Sequence, residues 1–82
     1  MKREHGPGQL PREFDIQVGR RLRMARFGAR LTPSELARMV GSDEAEIESW
    51  ETGNSVIYLD ELMVLCRALN VTPHDLLGWR GG

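Results

Sequence analysis

The chain is poor in the materials of chemistry. Its 82 residues include one cysteine and two histidines. A lone cysteine excludes an internal disulfide, so nothing covalent staples the fold, which suits a reducing compartment. His5 and His74 have no cysteine nearby, so no metal-ligand spacing exists and no metal is expected. No glycine-rich phosphate loop precedes a helix. Glu44 and Glu48 stand four apart, but two carboxylates on an exposed helix are ordinarily solvated rather than catalytic. Catalysis and a cofactor are therefore not expected. The longest apolar run, LMVLC at 62–66, is far too short to span a membrane. The opening MKREHGPGQLPREF has no apolar stretch, so a signal peptide is not expected there. Alternating strand patterns and internal repeats are also absent. Together these point to a cytoplasmic, all-α single domain with no membrane partner.

One further absence is local. Between residues 39 and 66 stand seven acids and not one lysine or arginine. Residues 1–38 hold nine basic residues against four acids, so a formal charge of −1 conceals a basic front and an acidic middle. Such segregation suggests two different partners, or two copies meeting head to tail.

What is present is helical periodicity with clear punctuation. Residues 1–13 hold Gly6, Pro7, Gly8 and Pro11 and read as a flexible basic arm carrying Lys2, Arg3 and Arg12. Residues 14–79 form the domain, and 80–82 a tail. Phe14, Val18, Leu22 and Ala25 recur at helical steps, with Arg20, Arg21, Arg23 and Arg26 between them, up to Gly28. Those arginines are free to pair with acids of a neighbouring molecule. In LTPSELARMVG, Thr32 is an N-cap, Pro33 the first helical residue and Glu35 the closing member of a capping box. Leu36, Met39 and Val40 should face inward. Asp43 and Glu46 form a second box that opens a helix over 43–52, with Ile47 and Trp50 inward and Gly53 as stop. Leu59, Leu62, Met63, Cys66 and Leu69 make a stripe on a helix over 59–70. Cys66 lies on that stripe and reads as a small core residue. Thr72, Pro73 and Asp75 start a short fifth helix with Leu76 and Leu77. The predicted core is Val18, Leu22, Leu36, Val40, Ile47, Trp50, Leu62, Cys66 and Leu69.

Two short helices joined at Gly41, with one helix before and two after, outline a helix-turn-helix. The anchors V-G-R-R-L-R at 18–23, L-T at 31–32, E-L-A at 35–37, Ile47, W-E-x-G at 50–53 and A-L-N-V at 68–71 carry a resemblance. Over about Val18 to Leu77 the chain resembles the Cro and phage-repressor type of helix-turn-helix, the XRE family. The resemblance implies a five-helix domain in which helix 33–40 crosses a DNA backbone and helix 43–52 reads bases. Carried over position by position, it implies DNA contacts at Glu44, Ala45, Glu46, Glu48, Ser49, Thr52 and Asn54, with Arg30, Ser34 and Arg38 at the flanks. Family members often hold a phosphate with Gln where this chain has Pro33, and that contact is lost here.

Glu44, Glu46 and Glu48 also depart from the Ser, Thr, Gln, Arg or Lys common at such positions. A carboxylate can accept a hydrogen bond from cytosine N4, but three of them repel the phosphates that supply most non-specific affinity. Apolar residues depart too. Phe27, Val56, Ile57, Tyr58, Val64 and Trp79 stand at positions usually polar, and a cluster of them suits a dimer or partner patch. Two functions follow. One is a small DNA-binding transcriptional regulator with an acidic recognition helix, working as a homodimer on double-stranded DNA. The other is a repurposed helix-turn-helix that binds protein, as an antirepressor, a co-regulator or a partner of the transcription machinery.

Overall fold

The computed structural model describes residues 12–78. The arm up to residue 11 and Trp79 with the tail lie outside the described residues. Five helices follow in order: α1 (Glu13–Gly28), α2 (Pro33–Val40), α3 (Glu44–Thr52), α4 (Leu59–Leu69) and α5 (Pro73–Leu77). The expected boundaries differ from these by no more than one residue.

The agreement has a local cause, because three of the starts, those of α2, α3 and α5, carry their own side-chain caps, while the Arg12 side chain makes no such bond at the start of α1. Thr32 Oγ1 accepts the Glu35 amide at 3.0 Å, and Glu35 Oε1 accepts the Thr32 amide at 2.8 Å. Thr72 and Asp75 repeat the exchange at 3.1 and 2.8 Å. Asp43 Oδ1 accepts the Glu46 amide at 2.8 Å. The reciprocal bond from Asp43 to the Glu46 carboxylate is not made, so the second box is half of one. α2 ends at Gly41 with φ 72°, in the left-handed region where glycine is least strained. The Ser42 amide then closes onto the Ala37 carbonyl at 2.8 Å. Asp43 starts the next helix at once, and this short reversal sets α3 against α2.

Leu22, Leu36, Ile47, Trp50, Leu62, Cys66 and Leu69 pack into one core, joined by Ala37, Leu65 and Leu76. Val18 is buried as expected, while Val40 is half-buried against the cluster. Four expected inward residues are not inward. Phe14, Met39, Leu59 and Met63 are exposed. Phe14 lies on the first turn of α1, and at the start of that helix it is Asp15 that is buried, under the Arg12 guanidinium at 2.9 Å. On α4 the core takes the flank holding Leu65, which is fully buried, and leaves the Leu59–Met63 flank outside. Both flanks adjoin Leu62, so helical spacing alone did not choose between them.

Candidate nucleic-acid interface

α3 is laid down by two kinds of contact. Ile47 and Trp50 fill the core. Beside them the α1 and α3 backbones meet almost directly, because a Cβ on Gly19 would collide with the Trp50 and Glu51 carbonyl oxygens. At the far end Gly53 adopts φ 82° and lies against the Ile16 backbone, which a Cβ there would meet at 3.0 Å. The helix is thus held along one side by main chain.

The next contact is electrostatic. Arg26 on α1 and Glu51 on α3 are both buried. Arg26 Nε donates to Glu51 Oε2 at 2.6 Å and Nη2 to Oε1 at 3.1 Å, a bidentate pair. Nη1 donates to the Leu31 carbonyl at 2.8 Å, so the guanidinium also secures the chain leading into α2. The hydrogen bonds to Glu51 raise the Arg26 pKa from an already basic value, and they outweigh the desolvation that opposes them. Arg23 approaches the same carboxylate at 3.8 Å. This corrects the expectation that α1's arginines seek a neighbouring molecule: Arg23 and Arg26 meet an acid of their own chain. Phe27 is exposed yet not bare, since Arg26 lies 4.7 Å from its ring centre.

The outward side of α3 and the turn that follows it hold the residues that the resemblance selects. Glu44, Ala45, Glu48, Thr52 and Asn54 are exposed, and Glu46 and Ser49 are half-buried. Not all of these are available as donors. Ser49 Oγ and Ser55 Oγ share a hydrogen bond at 2.6 Å, and Thr52 Oγ1 donates back to the Glu48 carbonyl at 3.0 Å. Asp43, Ala45, Glu46 and Ser49 line a shallow depression of about 200 Å³. Arg30, Ser34 and Arg38 are exposed on the neighbouring elements, with Arg30 at φ 60°. Among the described residues no three His, Cys, Asp or Glu side chains group to hold a metal.

Of the expected partner patch, Tyr58 and Val64 are exposed, whereas Val56 and Ile57 are half-buried, and Ile57 packs on the core. Leu59, nearly three-quarters exposed, and Met63, both expected inward, extend the apolar surface along α4.

The sequence reading missed the Arg26–Glu51 pair. A signal for it existed. Arg26 follows Leu22 by four and Glu51 follows Ile47 by four, the step that keeps residues on one helix face. Two opposite charges on two buried stripes invite pairing.

Residues 21–81 match the Cro/C1-type helix-turn-helix DNA-binding domain. Among solved structures, the chain is 30% identical to the restriction-modification controller protein C.AhdI from Aeromonas hydrophila. That alignment covers 74% of this chain and 92% of the other, with a TM-score of 0.71. The P22 c2 repressor, solved with a synthetic operator, is 29% identical over 72% of this chain and 89% of its own, with a TM-score of 0.68. A hypothetical transcription factor, NHTF from Neisseria, is 25% identical over 89% and 86%, with a TM-score of 0.74. No curated protein matches the chain. With most of its length matched by one family, and with the turn, caps and exposed α3 already in place, the chain belongs to the Cro/C1-type helix-turn-helix DNA-binding family, the small XRE-type regulators that its motifs resemble.

Proposed function

We propose that this chain is a non-enzymatic transcriptional regulator that docks α3 in the major groove of double-stranded DNA as a homodimer. The observation that carries this reading is the division of α3. Its inner side is fixed by Ile47, Trp50 and Glu51, and its outer side, with Glu44, Ala45 and Glu48, is open. A helix so presented is the reading element of this architecture.

The carboxylates make the affinity selective rather than strong. Glu44, Glu46 and Glu48 oppose phosphates and accept from cytosine amino groups. Arg30 and Arg38 supply cations on the domain, and the N-terminal segment adds Lys2, Arg3 and Arg12 in sequence. The dimer uses the α4 surface around Tyr58 and Val64, extended by Leu59 and Met63. A two-fold pair would set its α3 helices about 34 Å apart, one turn of DNA.

A salt titration on duplex DNA tests the reading. Each neutralised phosphate adds about 0.9 to the log–log slope, so a slope of several units is expected. Absence of binding at low salt to both random and selected duplexes would refute it. Sedimentation should show a dimer at micromolar concentration, and a strict monomer there would refute the dimer.

A further inference from the structure

The open side of α3 has one kind of polar side chain to offer a base. Glu44 and Glu48 stand four residues apart and so share a face, with Ala45 beside them, and all three are exposed. Glu46, two positions from each, lies off that face and is half-buried. α3 contains no Lys, Arg, Asn or Gln, the side chains that pair bidentately with guanine or adenine. Asn54 lies past the helix end. The hydroxyls of α3 are engaged elsewhere. Thr52 Oγ1 donates to the Glu48 carbonyl at 3.0 Å, and Ser49 Oγ is held at 2.6 Å by Ser55, which is buried. What remains for bases is two carboxylates, which accept and do not donate when ionised, and the methyl group of Ala45.

In the major groove guanine shows two acceptors, thymine an acceptor and a methyl group, and adenine a donor with an acceptor at its side. Cytosine alone shows a donor and no acceptor. A carboxylate is therefore repelled by guanine and thymine, opposed at N7 by adenine, and matched by cytosine. We propose, resting on the reading that α3 docks in the major groove, that it reads a pyrimidine run on one strand. Glu44 and Glu48 each accept from the N4 amino group of a cytosine, and Ala45 covers the C5 edge of a neighbouring pyrimidine. Both cytosines lie on the same strand, because one on the other strand would set its partner guanine, with O6 and N7, beside the same carboxylates. Residues four apart on a helix have Cβ atoms about 6 Å apart, and base pairs stack about 3.4 Å apart. The two carboxylates thus span fewer than two base steps, so the cytosines are adjacent or one nucleotide apart. Alanine tolerates a C5 methyl group, as it does that of thymine. 5-Methylcytosine carries that methyl and keeps its N4 donor, so this half-site should accept C5 methylation and reject N4 methylation.

The test selects duplexes from a random library with the full chain at low salt. Enriched half-sites should carry two cytosines on one strand, adjacent or one nucleotide apart. In the selected duplex, N4-methylcytosine at either position sets a methyl group where the groove-facing N–H stood and still pairs with guanine. It should weaken binding about tenfold or more, the cost of one mismatched base pair. 5-Methylcytosine at the same positions should leave affinity within about twofold, since the donor is kept. Selection repeated with Glu48→Gln should exchange cytosine for adenine at one position and keep the other, because Gln pairs with adenine N6 and N7. Glu44→Gln should exchange the other position. Equal tolerance of the two methylations would overturn the inference and leave docking by α3 standing. So would a Glu48→Gln selection that returns the parent sequence, or parent half-sites without paired cytosines. Enrichment of no duplex would refute the docking reading itself and this inference with it. The methylated duplexes decide the matter on the parent chain, whether or not a variant folds.

Discussion

The two sides of α3 carry the same residue type to opposite ends. Glu51 is buried and clasped by Arg26, while Glu44 and Glu48 stand in solvent four residues apart. A segment's formal charge therefore says little about the potential it presents. Five acids lie between residues 43 and 51, yet the innermost is neutralised inside the domain by Arg26, from the arginine-rich second half of α1. Part of α1's positive charge is used in the same way, so the molecule's surface is less polarised than its sequence.

The largest effect should come from the inner side. Trp50→Ala removes a buried aromatic and leaves a cavity, at about 3–5 kcal/mol. Thermal melting like that of the parent would show that the inner side does not depend on Trp50. Next is the pair itself. Glu51→Gln leaves a buried guanidinium without its countercharge and should also cost about 3–5 kcal/mol, whereas Arg26→Met with Glu51→Leu should recover most of that loss. Urea denaturation of the single and double variants measures both. A single variant as stable as the parent would mean that the buried pair and the exposed acids are energetically alike, and the contrast between the sides would collapse.

The outer side should respond differently. Changing Glu44, Glu46 and Glu48 to Gln should cost only about 1–2 kcal/mol, from weakened dipole contacts in the first turn. The same change should raise affinity for random duplex DNA at low salt. No gain, with folding intact, would mean that this side does not approach DNA.

The smallest effect concerns acid stability. Glu35 and Asp75 are held below the usual carboxylate range, chiefly by accepting the backbone amides of Thr32 and Thr72. Their folded pKa values are depressed, so their contribution is present above the unfolded carboxylate value and fades as pH falls through the folded one. Glu35→Gln with Asp75→Asn should therefore melt earlier than the parent at neutral pH and converge with it in acid. Parallel curves across that window would argue against these caps as the source of the acid sensitivity.

Legibility in the sequence followed distance along the chain. Caps and stops act over three or four residues, so Thr32, Asp43, Gly41 and Gly53 could be read directly, and with them the helix boundaries. The flank of α4 that turns inward depends on where α2 and α5 lie, and nothing within 59–70 encodes that. Met63, expected inward, is therefore exposed, and Leu65, which is not on the expected stripe, is fully buried. Arg26 and Glu51 are 25 residues apart and each is hydrophilic, so their burial becomes visible only once α1 and α3 are placed side by side. The exposed α3 residues came from family positions rather than from local physics.

The glycine at position 19 has a consequence for redesign. Because α1 meets α3 there without an intervening side chain, the pitch of α3 is set by main chain against main chain. Nothing on the outward side of the helix takes part in that seating. The scaffold behaves as a socket with an interchangeable head: under the function proposed above, Glu44, Ala45 and Glu48 should be replaceable as a set to read other sequences, the new side chains starting from an unchanged position and tilt.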